Sequence, residues 1–471
     1  MDISKCFDSI YTHSLAWAIL GKDVAKRKIG ITNQTFSGEF DRFMQLINYK
    51  ETNGIIIGPE FSRIFAELIL QNVDTRLEKK LADEGHYHRQ DYQIFRYVDD
   101  FFVFYNDEAL KEKIVPNLQA ILRDLKLYLN VNKQIQFEKP IVTEISIAKH
   151  KISELLEESL DYKLIEEIEN DGTISFNCKI NVKSKPLIVG FKTVISESKV
   201  NTNDILSYTF AIIERKAREI FKRYAKTSHK YKSEKNLIKS LNEIIDFVFF
   251  LYSFSSKVNL TIKLSRVLNL VIKFCRNGST NIDLKYIIFQ KIFENITFFL
   301  KKNKSSEFAQ VENLYLLTIV SELGKNYKIS EKLLEEYFRL TFDGHSYKEK
   351  HKLNYFSLMS LLCYIKTNKK YAQLKRFVTN SIVDKIKLEQ NIHQNSEILF
   401  LALDSLSCPY IDNISKQDIL SHFGITDPPL LSALLSGNYL SFSANQPVFF
   451  FKWDDFDFSR ELDAKQSFEV Y

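Results

Sequence analysis

Two adjacent aspartates, Asp99 and Asp100, separate two short runs of aromatic and β-branched residues, 95–98 and 101–105. Such runs on either side of a polar pair predict a β-hairpin that carries both carboxylates at its tip. Burying even one ionised carboxylate costs on the order of several kcal/mol unless a cation compensates it, and a divalent metal ion would do so. A solvated β-turn is the alternative, because aspartate is a common turn residue.

A third aspartate, Asp2, stands at the head of a short predicted strand that leads through Phe7 into a helix. One aspartate from one strand and two from a neighbouring hairpin form the carboxylate set of two-metal phosphoryl transfer. Hard oxygen ligands of this kind select Mg²⁺. The sequence therefore predicts a site for two Mg²⁺ ions, with Mn²⁺ as an alternative ion.

Four segments resemble, in order, motifs A to D of reverse transcriptases. They are DISKCFDSIYTH (2–13), GIIIGPEFSRIFAE (54–67), RYVDDFFVF (96–104) and LYLNVNK (127–133). The resemblance implies an α+β polymerase palm, an antiparallel sheet with helices, that synthesises DNA from dNTPs as an RNA-directed DNA polymerase. Within the family the chain is most similar to bacterial abortive-infection enzymes of the AbiK kind, which implies a role in antiviral defence.

The resemblance also implies roles for residues near the metal ions. Asp2 and Asp99 would hold both ions, Asp100 would support them, and the backbone carbonyl of Ile3 would contact one ion. Lys133 would lie near the pyrophosphate as a candidate general acid. For a lone lysine the alternative is a solvated surface position.

Three further residues are implied to contact the nucleotide. Phe7 would be the steric gate under the sugar, which leaves no room for a 2′-hydroxyl and makes DNA the product; a core aromatic is the alternative. Gly58 would allow close approach to the nucleotide. Ile57 stands where templated reverse transcriptases usually carry Gln. It favours untemplated, protein-primed synthesis over templated copying of the retron or group II intron type.

The chain begins at motif A, whereas a polymerase of this family carries a fingers segment before it. We expect an upstream start that supplies the fingers, or fingers supplied by a partner. The alternative is a catalytically incomplete remnant that acts as a scaffold or a nucleic-acid-binding protein.

A basic stretch lies in the middle of the chain, whose net charge is +6. Residues 215–239 hold ten lysines and arginines against two glutamates. Such a stretch can follow a phosphate backbone, and we expect nucleic-acid contacts from Lys222, Arg223, Lys226 and Lys230. The alternative is a solvated helix end.

Glycine (13) and proline (8) are scarce, which favours long helices. Residues 1–195 would form the palm and a connector, with an acidic helix at 152–169 and a strand pair at 173–182 and 186–191. Residues 196–471 would form an all-α helical-repeat domain, which could scaffold a homo-oligomer.

Five widely spaced cysteines argue against a disulfide scaffold or a cysteine-based zinc site and fit a reducing cytoplasm. The longest apolar stretch, near 244–254, is shorter than the roughly 20 residues that span a bilayer. We therefore expect a cytoplasmic protein without a membrane partner.

Overall fold

The structure is a computed structural model, and the chain divides into two compact units, Met1–Ile141 and Val142–Tyr471. The residues described are 1–139, 142–168, 174–227, 232–277, 282–302, 311–429, 453 and 457–467.

The first unit combines one antiparallel hairpin with seven helices in its described residues. Its elements are α1 (Cys6–Ser9), α2 (Ser14–Leu20), α3 (Lys22–Arg27), α4 (Ile29–Thr32), α5 (Phe36–Leu46), α6 (Glu60–Asp83), β1 (Tyr92–Tyr97), β2 (Asp100–Tyr105) and α7 (Glu108–Asp124).

The predicted hairpin is confirmed. β1 pairs with β2 in a register that runs from Tyr92 opposite Tyr105 to Tyr97 opposite Asp100. Because side chains alternate along a strand, one face of the hairpin is buried and the other carries exposed aromatic rings. Two isolated antiparallel bridges add further segments beside the hairpin: Asp2 pairs with Asp100, and Ile3 pairs with Leu129.

The helix α6 forms the centre of the first core. Its buried residues recur every four positions, at Phe65, Ile69, Val73, Leu77 and Leu81. This spacing places them on one face of the helix. That face packs against α2 and α7, so α6 becomes a rigid support behind the hairpin.

Apolar spacing in the sequence predicts an amphipathic helix from Leu110 to Leu129, and this prediction is wrong at its C-terminal end. The helix α7 stops earlier because Lys126 adopts a left-handed conformation, with φ of 64°. The N–H of Leu127 then donates to the carbonyl of Leu122 at 2.9 Å, which closes the helix. The residues that follow are thereby free to run beside the N-terminal segment, where Leu129 bridges Ile3.

The second unit is mainly helical in its described residues. Its elements are α8 (Glu144–Ser159), β3 (Asp161–Ile168), β4 (Ile174–Asn181), α9 (Ser184–Ser198), α10 (Thr202–Lys226), α11 (Glu234–Tyr252), α12 (Val258–Asn277), α13 (Ile282–Lys302), α14 (Val311–Leu323), α15 (Glu331–Tyr337), β5 (Leu340–Phe342), β6 (Tyr347–Glu349), α16 (Tyr355–Ile365), α17 (Ala372–Leu388), α18 (Ser396–Ser407), α19 (Asn413–His422) and α20 (Phe458–Ser467).

The predictions for 152–169 and 186–191 are wrong. The helix at 152 ends at Ser159, and the acidic residues after it form β3, which pairs with β4. Pairing with a partner strand here overrides local helix propensity. Residues 186–191 lie in α9, because Pro186 occupies the first turn, where its missing N–H costs no helical hydrogen bond.

The connector belongs to the second unit by its packing. The sequence grouped residues 142–195 with the palm, yet α8 packs against α9 and α10 and shares their core through Ala148, Ile152 and Leu156. The long helices predicted beyond residue 200 are confirmed within the described residues, whereas their arrangement as a repeat stays a prediction. No helix described here is both long enough and apolar enough to cross a membrane.

Candidate active site

The N-terminal segment lies along the hairpin through backbone hydrogen bonds. The N–H of Phe101 donates to the carbonyl of Met1 at 2.7 Å, and the N–H of Ile3 donates to the carbonyl of Asp99 at 3.2 Å. These bonds bring Asp2 opposite Asp100. The predicted strand at Asp2 is therefore present as a short stretch beside β2.

The segment after α7 forms backbone hydrogen bonds with the other edge of the N-terminal segment. The N–H of Ser4 donates to the carbonyl of Tyr128 at 2.8 Å, and the N–H of Asn130 donates to the carbonyl of Asp2 at 2.7 Å. Segments that resemble motifs A, C and D thus lie side by side. Asp2, in the segment that resembles motif A, lies between the segments that resemble motifs C and D, and its side chain is buried.

Asp2 and Asp99 form a carboxylate pair at the site. Their carboxyl groups lie within hydrogen-bonding reach of each other. Burial raises the pKa of the Asp99 carboxyl, and the negative charges of Asp2 and Asp100 raise it further. Asp100 itself is exposed. The pair therefore concentrates negative charge that a cation would relieve.

Lys133 supplies a positive charge to this pair. Its ammonium nitrogen lies 2.7 Å from Oδ2 of Asp2, and this hydrogen bond raises the pKa of Lys133. The lysine ends a short 3₁₀ turn, Val131–Lys133, in which the Asn130 side chain accepts a hydrogen bond from the N–H of Asn132. Lys133 remains largely exposed, so the ion pair can open at small cost.

Arg96 is a site residue that the sequence reasoning missed. Its guanidinium donates to the carbonyl of Val98 at 2.9 Å, in the turn that joins β1 to β2. Val98 has a φ of 55°, a region that β-branched residues rarely adopt. Arg96 therefore stabilises a strained turn immediately before Asp99.

Two carboxylates of α6 hold the guanidinium in place. Arg96 lies 2.7 Å from Glu67 and 2.7 Å from Asp74, and its side chain is only 6% exposed. Burial opposes the charge of Arg96, but the hydrogen bonds to Glu67 and Asp74 prevail and raise its pKa. The sequence signal for this cluster is the seven-residue spacing of the two acids, which places both on one helix face.

The loop that resembles motif B runs beside Phe7. The N–H of Ile55 donates to the carbonyl of Phe7 at 2.9 Å, and the N–H of Gly54 donates to the carbonyl of Ile10 at 2.8 Å. Phe7 is half-buried and packs against the core of its unit. Ile57 is 70% exposed.

Gly58 follows Ile57 in an open position of this loop. It has a φ of 120°, and no atom lies within 4 Å of the place a Cβ would take. A side chain there would be disfavoured by the backbone conformation rather than by crowding. The nucleotide-contacting roles of Phe7, Ile57 and Gly58 stay predictions.

The donor set fits Mg²⁺ in its chemistry. Asp2, which is buried, and Asp99, which is half-buried, offer mutually repelling carboxylate oxygens, the ligand type that Mg²⁺ prefers. Burial raises the pKa of the adjacent Cys6 to about 12, so its thiol stays neutral. The part of the chain that the structure describes holds no ready group of three or more metal-binding side chains. The full set predicted from Asp2, Ile3, Asp99 and Asp100 stays a prediction.

The predicted nucleic-acid contacts fall in the second unit. Arg223 forms an ion pair with Glu219 at 2.6 Å, whereas Lys222 and Lys226 are exposed without an ion pair among the described residues. Lys230 lies outside the described residues. Nearer the start of the same helix, Arg215 and Lys216 both form ion pairs with Glu157 of α8. The stretch is therefore less positive than its composition indicates.

Residues 1–153 match the family model of the reverse transcriptase (RNA-dependent DNA polymerase) domain. The match covers 153 of the 471 residues and includes Asp2, Phe7, Asp99 and Lys133. The similarity supports a nucleotidyltransferase-type activity of the first unit, with nucleotides and nucleic acid as its implied substrates. The coarse resemblance inferred from four short motifs is thus confirmed, whereas the AbiK-like group stays a prediction.

A curated protein of Schizosaccharomyces pombe, a tyrosine-protein phosphatase CDC14 homolog, is 30% identical to this chain over 119 residues. The aligned segment covers 25% of this chain and 19% of the yeast protein. The chain therefore spans about a fifth of the length of the relative it matches, and this short similarity carries no conclusion about activity.

Proposed function

We propose that the first unit extends DNA by nucleotidyl transfer from dNTPs, in the manner of a reverse transcriptase. The observation that carries the proposal is the pairing of Asp2 and Asp99, which are far apart in the sequence of the matched segment. Structural carboxylates rarely crowd together without a cation, so such a pair in a polymerase-like segment favours a metal-dependent role.

The side chains divide the work of such a reaction. Asp2 and Asp99 would hold two Mg²⁺ ions, which when bound supply Lewis-acid stabilisation of the phosphoryl group. Arg96 keeps the hairpin tip in the conformation that directs Asp99 toward Asp2. Lys133, released from Asp2, would donate to a phosphate oxygen and could give up a proton there. Phe7 would exclude ribose.

The finer proposal is untemplated, protein-primed synthesis in bacterial antiviral defence. Its support is the resemblance to AbiK-like enzymes and the exposed aliphatic side chain of Ile57, which offers no hydrogen bond to an incoming nucleotide. A templated enzyme of the retron or group II intron type, or an inactive scaffold, would replace this proposal if the experiment below gives the opposite result.

The test is incorporation of labelled dNTPs with Mg²⁺ and without added primer or template. Asp99→Asn removes one carboxylate charge of the pair, and Asp83→Asn, at the exposed end of α6, is the matched control. We expect label that stays with the protein after denaturation, that persists in the control and that disappears with Asp99→Asn.

Each other outcome assigns a different function. Product whose sequence follows an added RNA would replace untemplated synthesis with templated copying. A folded protein that binds nucleic acid but incorporates no label would establish a scaffold and overturn the polymerase proposal.

A further inference from the structure

Three lysines surround two aromatic rings on the first unit. The ammonium of Lys126 lies 3.7 Å from the ring centroid of Tyr11, and those of Lys22 and Lys26 lie 4.7 and 5.4 Å from the ring of Trp17. The two rings are 5.5 Å apart. We call these five residues the Trp17 cluster.

The fold, rather than the sequence order, assembles the Trp17 cluster. Trp17 lies on α2, the two neighbouring lysines lie on α3, and Lys126 follows α7. Lys22 donates to the carbonyl of Asp124 at 2.9 Å, where the end of α7 attracts cations. That bond holds α3 against the end of α7 and brings the three ammonium groups together.

The charge of the Trp17 cluster is not neutralised. None of its lysines forms an ion pair with a carboxylate among the described residues. In contrast, Arg76 pairs with Asp124, Arg96 with Glu67, and Lys133 with Asp2. An aromatic ring holds a cation through its quadrupole without cancelling its charge. The cluster is therefore a preorganised patch of three positive charges that remains open to an anion.

We propose that the Trp17 cluster binds the sugar–phosphate backbone of a nucleic-acid strand. Closely spaced lysines can bind successive phosphates, and aromatic rings interleaved with cations are typical of surfaces that bind nucleic acid; Tyr11 and Trp17 are both partly exposed. The inference rests on the proposed function, because a unit that extends DNA must hold a strand near its carboxylates.

The chain connects the cluster to the carboxylate pair. Lys126 begins the segment that reaches Asn130, whose N–H donates to the carbonyl of Asp2. Four residues of extended chain span about 13 Å. The backbone of Lys126 therefore lies within about that distance of Asn130.

The test uses Trp17 as its own reporter. The chain has two tryptophans, so Trp453→Phe leaves Trp17 as the single one. Titration with an oligothymidylate should quench the fluorescence of Trp17, and added salt should restore it. We expect the same quenching in the Asp99→Asn background, because the cluster does not depend on the carboxylate pair.

A second measurement does not require the replacement of Trp453, whose indole donates to the carbonyl of Asp404 and contributes to the core of the other unit. Labelled oligothymidylate is titrated against the otherwise unchanged chain and against the triple variant Lys22→Gln, Lys26→Gln and Lys126→Gln. Losing three phosphate contacts should reduce the slope of log K against log salt by about 2 and weaken binding tenfold or more at about 0.1 M salt.

The matched control is the triple variant Lys325→Gln, Lys332→Gln and Lys369→Gln, which makes the same change in net charge at exposed positions. We expect this variant to bind almost as the unchanged chain does. Equal losses in the two triple variants, or binding without quenching of Trp17, would overturn the assignment. Equal quenching by heparin at the same charge concentration would assign the cluster to polyanions in general and overturn it for nucleic acid.

The outcomes separate this inference from the proposed function. Quenching and a salt slope that depend on the cluster, in a chain that incorporates no label, would support the inference while the polymerase proposal fails. Incorporation of label in a chain whose nucleic-acid binding does not depend on the cluster would support the polymerase proposal and overturn this inference.

Discussion

Arg96 donates to the carbonyl of Val98 at 2.9 Å and thereby ties the hairpin tip to the helix behind it. The same guanidinium also donates hydrogen bonds to the carboxylates of Glu67 and Asp74 on α6. A left-handed valine persists only where its surroundings over-determine it. The position of Asp99 is therefore set by α6 through one buried side chain.

Replacing Arg96 with lysine should destabilise the first unit. Lysine keeps the positive charge but cannot reach Glu67, Asp74 and Val98 together, since it lacks the planar fork of the guanidinium. We expect a loss of about 3 kcal/mol in the free energy of unfolding, as for removal of one partner from a buried ion pair. Denaturant unfolding monitored by circular dichroism measures it.

Arg63→Lys is the matched control for this change. Arg63 lies on α6 and also pairs with a glutamate, Glu60, but both of these side chains are exposed. Exposed pairs contribute about 0–1 kcal/mol. Equal losses from Arg63→Lys and Arg96→Lys would contradict a special role for the buried guanidinium.

Asp99→Asn should stabilise the fold at neutral pH while it removes activity. The pKa of Asp99 is raised in the folded state, so ionisation of this carboxyl costs folding free energy. Its contribution to stability is complete below the unfolded-state pKa of about 3.9 and is lost as the pH rises through the folded-state value. We expect a Tm higher by about 1–3 °C at pH 7, corresponding to less than about 1 kcal/mol.

The pH dependence distinguishes this effect from a general gain in packing. The advantage of Asp99→Asn should shrink as the pH falls through the raised folded-state pKa and should disappear well below about 3.9, where the aspartate is protonated in both states. Asp100→Asn, at the exposed neighbour, should change stability by less than about 0.5 kcal/mol. A constant advantage across the pH range would contradict the explanation from ionisation.

Local patterns in the sequence predict much of the first unit. The aromatic and β-branched runs around Asp99 predict the hairpin, and the helical spacing of apolar residues from Phe61 to Leu81 predicts α6 almost to its ends. The carboxylate pair is predictable as well, because the resemblance aligns Asp2 with Asp99 before any coordinates are known. The hairpin and α6 depend on neighbours that lie close together in the chain, whereas the pairing of Asp2 with Asp99 is predictable only through the resemblance.

Features that depend on distant contacts are not predictable in this way. The guanidinium of Arg96 finds its partners on another element, and an arginine within a strand is usually solvated. The acidic residues of β3 have the composition of a helix and become a strand only because β4 pairs with them. The contact between Lys126 and Trp17 is likewise not predictable from neighbouring residues, because it depends on where α7 ends in the fold.

Lys133→Gln should increase the affinity of the carboxylate pair for a divalent ion. The ammonium of Lys133 lies 2.7 Å from Asp2 and competes with a metal ion for the same oxygen. Because the lysine is exposed, its contribution is small, and we expect binding about two- to fivefold tighter. Titration with Mn²⁺ followed by electron paramagnetic resonance measures the free ion directly.

Lys111→Gln is the control, since Lys111 is exposed and contacts Gln136 away from the pair. Incorporation of dNTPs should fall with Lys133→Gln even though the ion binds more tightly, because the same ammonium is proposed to act on phosphate. Weaker binding of Mn²⁺ to the Lys133 variant would show that the lysine organises Asp2 rather than competes for it.

Phe7→Val should relax the selection against ribonucleotides. Phe7 is half-buried, and its backbone carbonyl accepts a hydrogen bond from the N–H of Ile55, so its proposed position under the sugar depends on that loop. A smaller side chain would leave room for a 2′-hydroxyl. We expect the ratio of ribonucleotide to deoxyribonucleotide incorporation to rise tenfold or more, a change of about 1.4 kcal/mol in relative barrier height.

The ratio is the informative measurement because loss of folded protein lowers both incorporations equally. Phe40→Val is the matched control: Phe40 is also half-buried in this core and contacts Phe65 with ring centroids 5.1 Å apart. Both variants should lose some stability, since each removes part of a packed ring. Only Phe7→Val should change the ratio, and an equal change with Phe40→Val would mean that general loosening of the core, rather than a gate at Phe7, admits ribose.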